Sequence, residues 1–250
     1  MPEAHTLRAA PPPIADGIAL FLDVDGALVE FAVVPDQVVI EPLLLARLSA
    51  VHERLDGALA LVSGRSIAVL DQLFAPLRLP CAGLHGLQRR HGGVLEHAQA
   101  ASEQALARVR NAALEIAAKY DGAIVEDKGV ALAFHWRADP LAAADFEGLA
   151  AMAVMELPGY HLQHGDHVVE LRPAGADKGT AIEAFLAEPP FAGRLPVFAG
   201  DDLTDEHGFE AVNLRGGHSI LVGSREPSAA RYALHDVGAV HRWLGVEPGA

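Results

Sequence analysis

The chain predicts an α/β fold, a doubly wound, Rossmann-like parallel-sheet core interrupted by a smaller inserted α+β domain. Three observations carry this expectation. Continuous apolar runs alternate with helical patterns in the first and last parts of the chain. Between about His85 and Arg172 the strands instead alternate polar and apolar residues and come as hairpins. Acidic and small polar residues stand where the strands of those first and last parts end, which is where open parallel sheets bind ligands.

Taken in order, "GIALFLDV" (17–24) is apolar without interruption, as a strand covered on both faces must be. "EPLLLARLSAVHERL" (41–55) is helical, with Pro42 suited to a first position and Leu45, Leu48, His52 and Leu55 at helical spacing. "GALALVSG" (57–64) is a second buried strand, and "SIAVLDQLF" (66–74) a second helix capped by Ser66. Helices are expected at about 102–119 and 140–155, the latter starting at Asp139-Pro140. "GAIVEDKGVALAFHWR" (122–137) reads as a hairpin turning at Asp127-Lys128-Gly129, and "YHLQHGDHVVELRP" (160–173) as one turning at His164-Gly165-Asp166. After Pro173 the first style returns: a helix over 177–188, a strand entering the acid-rich "GDDLTDE", and a strand "SILVG" (219–223). The expected division is a core over 1–85 and 173–250 with an inserted domain over 86–172.

Composition limits the partners. The 250 residues carry a net charge of −14, which disfavours nucleic acid, a metal-dependent nuclease role and anionic lipid surfaces. No run of about 18 apolar residues suggests a membrane span. The single cysteine, Cys81, allows no internal disulfide and fits a reducing cytoplasm. The start "MPEAHTLRAAPPPIADG" lacks the pattern of a signal peptide and reads as a short flexible leader. A monomer is the expectation.

The strand ends hold the chemistry. Asp23 and Asp25 close the first strand, followed by Gly26, with no basic residue within ten positions on either side. Two carboxylates about 5 Å apart repel by about 3 kcal/mol at an effective dielectric of about 20. Ser63-Gly64-Arg65 ends the second strand, Lys178 opens a later helix, and Gly200-Asp201-Asp202 with Asp205 ends another strand. If these strands are neighbours, the groups share one rim. Clustered aspartates suit a hard divalent cation, and Mg²⁺ takes one or two carboxylates with water and phosphate oxygens. A lysine and exposed amides beside Gly26 suit phosphate. Such a set can stabilise a transferring phosphoryl group, with one aspartate as nucleophile and its neighbour as acid and base.

"LFLDVDGA", "LVSGRS", "DKGTAIEAF" and "VFAGDDLTDE" resemble the four motifs of haloacid dehalogenase superfamily phosphatases. "GLHGLQRR", "VEDKGVALAFHWR" and "VELRPAGADKG" narrow the resemblance to the trehalose-6-phosphate phosphatase family, over about residues 18 to 245. The resemblance implies a Mg²⁺-dependent phosphatase that converts trehalose 6-phosphate to trehalose and phosphate through an aspartyl phosphate, with the inserted domain as a closing cap. It implies that Asp23 is the nucleophile, Asp25 the acid/base, Ser63 the phosphate-holding hydroxyl and Lys178 the bridging lysine. It places the metal on Asp23, Asp201 and the main-chain carbonyl of Asp25, with Asp202 and Asp205 as supplementary acids. Glu126, Lys128 and Glu170 would hold sugar hydroxyls, and Gly26, Gly64, Arg65 and His85 are further substrate-binding candidates. Two positions depart from the pattern. Ala27 replaces the usual hydroxyl residue, and Asp166-His167 stand where Gly-Lys is usual. The alternatives are another sugar phosphate, such as sucrose 6-phosphate, transfer between positions on one sugar, or a silent sugar-phosphate sensor.

Overall fold

A computed structural model of the chain describes residues 8–30, 38–97 and 102–245. Its contacts form two compact units, one made of the chain up to Glu96 and from Asp177 onward, the other of His97–Ala176.

The first unit begins with β1 (Ile18–Leu22), whose five residues are all buried. Helix α1 (Pro42–Arg54) starts on its proline and buries Leu44, Leu48 and Val51, so its inner face is turned slightly from the expected one: Leu45 and His52 are only partly covered. Then come β2 (Leu59–Val62), α2 (Ile67–Leu73) with the Ser66 side chain accepting from the Val69 amide, β3 (Cys81–Gly83), β4 (Gln88–His91) and β5 (Val94–His97).

The second unit contains α3 (Glu103–Ala117), β6 (Ile124–Asp127), β7 (Leu132–His135), α4 (Ala143–Glu156), β8 (Tyr160–Gly165) and β9 (Val168–Pro173). Its antiparallel sheet runs β6-β7-β9-β8, with α3 and α4 packed on one face. Period-two alternation explains this: Leu132, Phe134, Val169 and Leu171 point to the helices, and Phe134 stacks on Phe146 at 5.4 Å between centroids. Each such buried side chain contributes about 1.5–3 kcal/mol.

The first unit resumes with α5 (Lys178–Leu186), β10 (Leu195–Gly200), α6 (Glu206–Leu214), β11 (His218–Val222), β12 (Tyr232–Leu234) and α7 (Val237–Leu244). Its sheet runs β12-β11-β10-β1-β2-β3-β4-β5, parallel from β12 to β3. The α/β class and doubly wound core are as the sequence predicts.

Three expectations change. Contacts divide the chain at 96/97 and 176/177, against the expected 85/86 and 172/173; at the first boundary β4 pairs antiparallel with β3 and extends the core sheet. The second hairpin turns at Asp166-His167, one residue later than expected, with His167 at φ +60°. The leader is not free from Arg8 onward; residues 1–7 lie outside the described residues. Ala9 bridges Tyr232 at the sheet edge, Arg8 Nε donates to the Ala230 carbonyl at 2.7 Å, and Trp243 Nε1 donates to the Pro12 carbonyl at 2.8 Å. An edge strand has open backbone groups, and this segment satisfies part of them. Among the described residues no helix is long and apolar enough to cross a membrane.

Candidate active site

Strand β1 lies between β10 and β2, with Leu22 opposite both Ala199 and Leu61. The residues that follow these strands therefore come level with one another. Asp23 and Ser63 are 4% and 0% exposed. Gly26, at φ +80°, makes the tight turn after β1, its amide donating to the Val29 carbonyl at 2.7 Å. A Cβ there would lie 2.3 Å from Asp201 Oδ2, so the backbone approaches that carboxylate as only glycine permits. Ala27 is fully buried beside it.

The buried amine comes from α5. Asp177 caps this helix in a reciprocal box with Thr180, which fixes Lys178 in the first turn. A lysine there opposes the helix dipole and is 2% exposed. Two carboxylates offset both penalties: Nζ lies 2.9 Å from Asp23 Oδ1 and 2.7 Å from Asp205 Oδ1. Burial pulls the lysine down, but Asp23 and Asp205 more than reverse this and hold it above its ordinary range.

The acid-rich loop is a pair of caps. Asp202 accepts from the Thr204 amide at 2.7 Å and from its hydroxyl at 2.6 Å. Burial opposes its charge, yet these bonds and Lys178 hold it below the usual carboxylate range. Asp205 Oδ2 accepts from the amides of Asp201 and Asp202, each at 2.9 Å. These bonds explain how a run that reads as loop opens α6.

One oxygen from each of Asp23, Asp201 and Asp205 lies within 4.8 Å of the other two. Burial, with the Asp205 and Asp202 charges, pushes the Asp201 carboxyl up to about 7. Burial raises Asp23 as well, against the pull of Lys178. Asp201 Oδ1 is buried without a hydrogen-bond partner. Three carboxylates facing one ammonium, with an orphaned buried oxygen and all-oxygen donors, fit a hard divalent cation. Asp205 has its oxygens engaged by Lys178 and two amides, so Asp23 and Asp201 are the side chains left to bind it.

The acid/base candidate Asp25 meets an arginine forty positions away. Arg65 Nη2 and Nε donate to its two oxygens at 2.6 and 2.7 Å, a fork of high geometric specificity. The Arg65 amide donates to Ser63 Oγ at 3.1 Å. Leu84 and His85 both take left-handed conformations, at φ +52° and +53°, each costing about 1–3 kcal/mol. This turn puts the His85 ring against Gly64, where a Cβ would lie 2.7 Å from ring atoms. His85 also adds to the field that keeps Asp202 ionised. The four motifs and the His85 turn are thus gathered at one rim. A cleft of about 750 Å³ elsewhere in this unit shares no lining residue with them, and its Asp71 is already paired with Arg78 and Arg90.

In the second unit the sheet face away from α3 and α4 carries the other candidates. Glu126, Ala133, Glu170 and Gln163 form one cross-strand row. Lys128 Nζ bonds Glu170 Oε2 at 3.1 Å, and both side chains are largely shielded, at 15% and 13% exposure. Glu126 bonds His135 at 3.0 Å, which together with Lys128 lowers its pKa despite burial. His135, Gln163 and Arg172, whose Nη1 donates to Gln163 at 2.9 Å, share this face. Sequence reasoning passed over them: period-two alternation from Glu170 reaches Arg172, while His135 and Gln163 lie on other strands and follow only from the strand register. In the exposed turn Asp166 bonds His167 Nδ1 and accepts from Arg137 Nη2.

Comparison with known proteins agrees with this arrangement. Residues 21–238 match the family model described as trehalose-phosphatase. The chain is 44% identical over 232 residues to a probable trehalose-phosphate phosphatase of Sinorhizobium fredii, covering 92% of this chain and 86% of that one. It is 43% identical over 234 residues to the trehalose-6-phosphate phosphatase of Escherichia coli, covering 93% and 87%. Among solved structures, a trehalose-6-phosphate phosphatase related protein superposes with a TM-score of 0.70 at 25% identity, covering 90% of this chain and 95% of that one.

Proposed function

The chain belongs to the trehalose-phosphatase family, and from that premise we propose that it hydrolyses trehalose 6-phosphate to trehalose and phosphate through a phosphorylated Asp23, as the last step of trehalose biosynthesis. The observation that carries the chemistry is the buried Lys178 held 2.9 Å from Asp23 Oδ1, beside a carboxylate cluster short of positive charge.

Asp23 attacks phosphorus, and the bond from phosphorus to the sugar oxygen breaks. Asp25 gives its proton to the leaving alkoxide. It then accepts one from the water that attacks the phosphorylated Asp23, releasing inorganic phosphate and restoring the carboxylate. Because Arg65 engages both Asp25 oxygens, the fork opens on one side for this proton transfer. Lys178 orients Asp23 and faces the charge gathering on the phosphoryl oxygens, while Ser63 and the amides beside Gly26 hold them. Mg²⁺, held by Asp23, Asp201 and the Asp25 carbonyl, supplies further charge neutralisation when bound. Asp205 fixes Lys178 and the Asp201 loop. Arg65, Gly64 and His85 border the substrate.

Selection of the sugar falls to the second unit. Glu126, Lys128 and Glu170 offer acceptors and a donor on one sheet face, as a disaccharide rich in hydroxyls requires. The one buried cysteine, Cys81, suits the reducing cytoplasm in which we place the reaction. A panel of sugar phosphates, assayed for phosphate release with Mg²⁺ and with chelator, tests the proposal. Release from trehalose 6-phosphate well above sucrose 6-phosphate, and only with metal, is expected. Equal release from all sugars would remove the substrate assignment, and no release from any would remove the catalytic one.

A further inference from the structure

The loop that carries Asp201 is gripped from two sides. From inside, Asp205 accepts the Asp201 and Asp202 amides. From outside, Arg225, in the β11–β12 connection, donates from Nε to the Asp201 carbonyl at 3.3 Å and from Nη2 to the Asp202 carbonyl at 3.1 Å. Two successive residues thus have their N–H groups taken by a carboxylate and their C=O groups by a guanidinium. Little rotation is left to the backbone from which the Asp201 carboxylate projects.

The arginine is itself anchored. Its Nη1 donates to the Pro227 carbonyl at 2.8 Å, and Nη2 also pairs with Glu206. Glu206 opens α6, where a carboxylate is favoured by the helix dipole, and its other oxygen accepts from the Ala229 amide at 2.7 Å. Glu206 also balances the guanidinium charge, which would otherwise repel a cation nearby. Behind this segment, Arg8 pairs with Glu226 and donates to the Ser228 and Ala230 carbonyls at 2.8 and 2.7 Å. A planar fork reaches two carbonyls together, whereas a lysine ammonium is a single point on a flexible stem.

We propose that Arg225 is a positioning residue for the divalent cation: by clamping the Asp201 and Asp202 carbonyls it aims the Asp201 carboxylate at the ion. The inference rests on reading Asp201 as a cation ligand. It assigns a role to a residue outside all the motifs that identify the site.

The test is Mn²⁺ binding to the metal-free chain, followed by loss of the free-ion electron paramagnetic resonance signal, with thermal unfolding in chelator alongside. Wild type should bind one ion and Asp201→Asn should lose it. Arg225→Ala should raise the Mn²⁺ Kd by about tenfold, the lower end of what loss of a residue behind a metal ligand costs. Arg225→Lys should still raise it by about threefold or more, since charge without the fork holds one carbonyl at most. An Arg225→Ala Kd within about twofold of wild type would overturn the inference, even if the unfolding temperature fell, because the arginine would then serve stability alone. If Arg225→Ala does not fold, Arg225→Lys decides, and wild-type affinity in it overturns the inference. A wild-type chain that binds no Mn²⁺, or an Asp201→Asn chain that binds it equally well, removes the reading of Asp201 and this inference with it.

Discussion

Raising the pH in the absence of divalent metal should weaken the fold at Asp201. Burial and the neighbouring carboxylates put its folded pKa at about 7, against an ordinary 3.8. A carboxyl raised in this way binds its proton more tightly folded than unfolded. Its contribution is therefore complete below about pH 4 and is lost as the pH rises toward 7. The interval spans about 3 units at about 1.4 kcal/mol each, an upper limit of about 4 kcal/mol, of which about half is expected for a carboxyl that solvent partly screens. Other groups act in the opposite sense. His52 and His161 are lowered by burial and add stability as the pH rises toward about 6.5. Comparison with Asp201→Asn removes these shared contributions. The assay is urea unfolding of both chains from pH 4.5 to 7.5, in chelator and then in saturating Mg²⁺. In chelator, the stability of wild type relative to Asp201→Asn should fall by about 1.5 kcal/mol across the window. Mg²⁺ should abolish that fall by supplying the missing charge. A relative stability that is flat or rises with pH in chelator would refute the reasoning about burial. A fall that Mg²⁺ leaves unchanged would place the cation elsewhere.

Three further outcomes follow from the same geometry. Lys178→Met should lower phosphate release from trehalose 6-phosphate by about 10²-fold or more and destabilise the chain by about 3–5 kcal/mol, because Asp23 and Asp205 lose their partner; a tenth of wild-type rate in steady state contradicts this. Gly26→Ala should weaken Mg²⁺ binding in calorimetry, since its Cβ would stand 2.3 Å from Asp201 Oδ2, and unchanged affinity means that the turn does not shape the site. Glu126→Ala and Lys128→Ala should lower kcat/KM for trehalose 6-phosphate by about tenfold or more while p-nitrophenyl phosphate turnover changes little, as expected for groups that bind the sugar rather than the phosphate. Equal losses on both substrates would remove the second unit from sugar selection.

How much was legible in the sequence depended on the range of the interaction. Strands β1 and β2 were plain because burial on both faces leaves a continuous apolar run. Their polar ends were plain because a parallel sheet presents its chemistry there. Helix α5 was announced by Asp177 and Lys178. What depends on distant pairing was not visible. No spacing rule joins Asp25 to Arg65, and none puts Arg225 behind Asp201. Strand β4, "QRRH", has no apolar alternation, and its place beside β3 comes from strand pairing and from side-chain partners distant in sequence, such as Asp71 for Arg90 and Glu188 for Arg89. Asp202 and Asp205 read as loop acids because their use as caps is decided by the turn they themselves create. Ala9 reads as leader because its partner, Tyr232, lies at the other end of the chain.

The central claim is that phosphorus passes through Asp23. The most direct measurement is mass spectrometry of the chain acid-quenched within its first turnover of trehalose 6-phosphate and Mg²⁺. A phosphate on the peptide containing Asp23, formed and consumed at rates that match turnover and missing in an inactive Asp23→Asn chain, is the predicted result. A chain that turns over with no covalent phosphate, or with phosphate on another residue, or at wild-type rate as Asp23→Asn, would contradict the account.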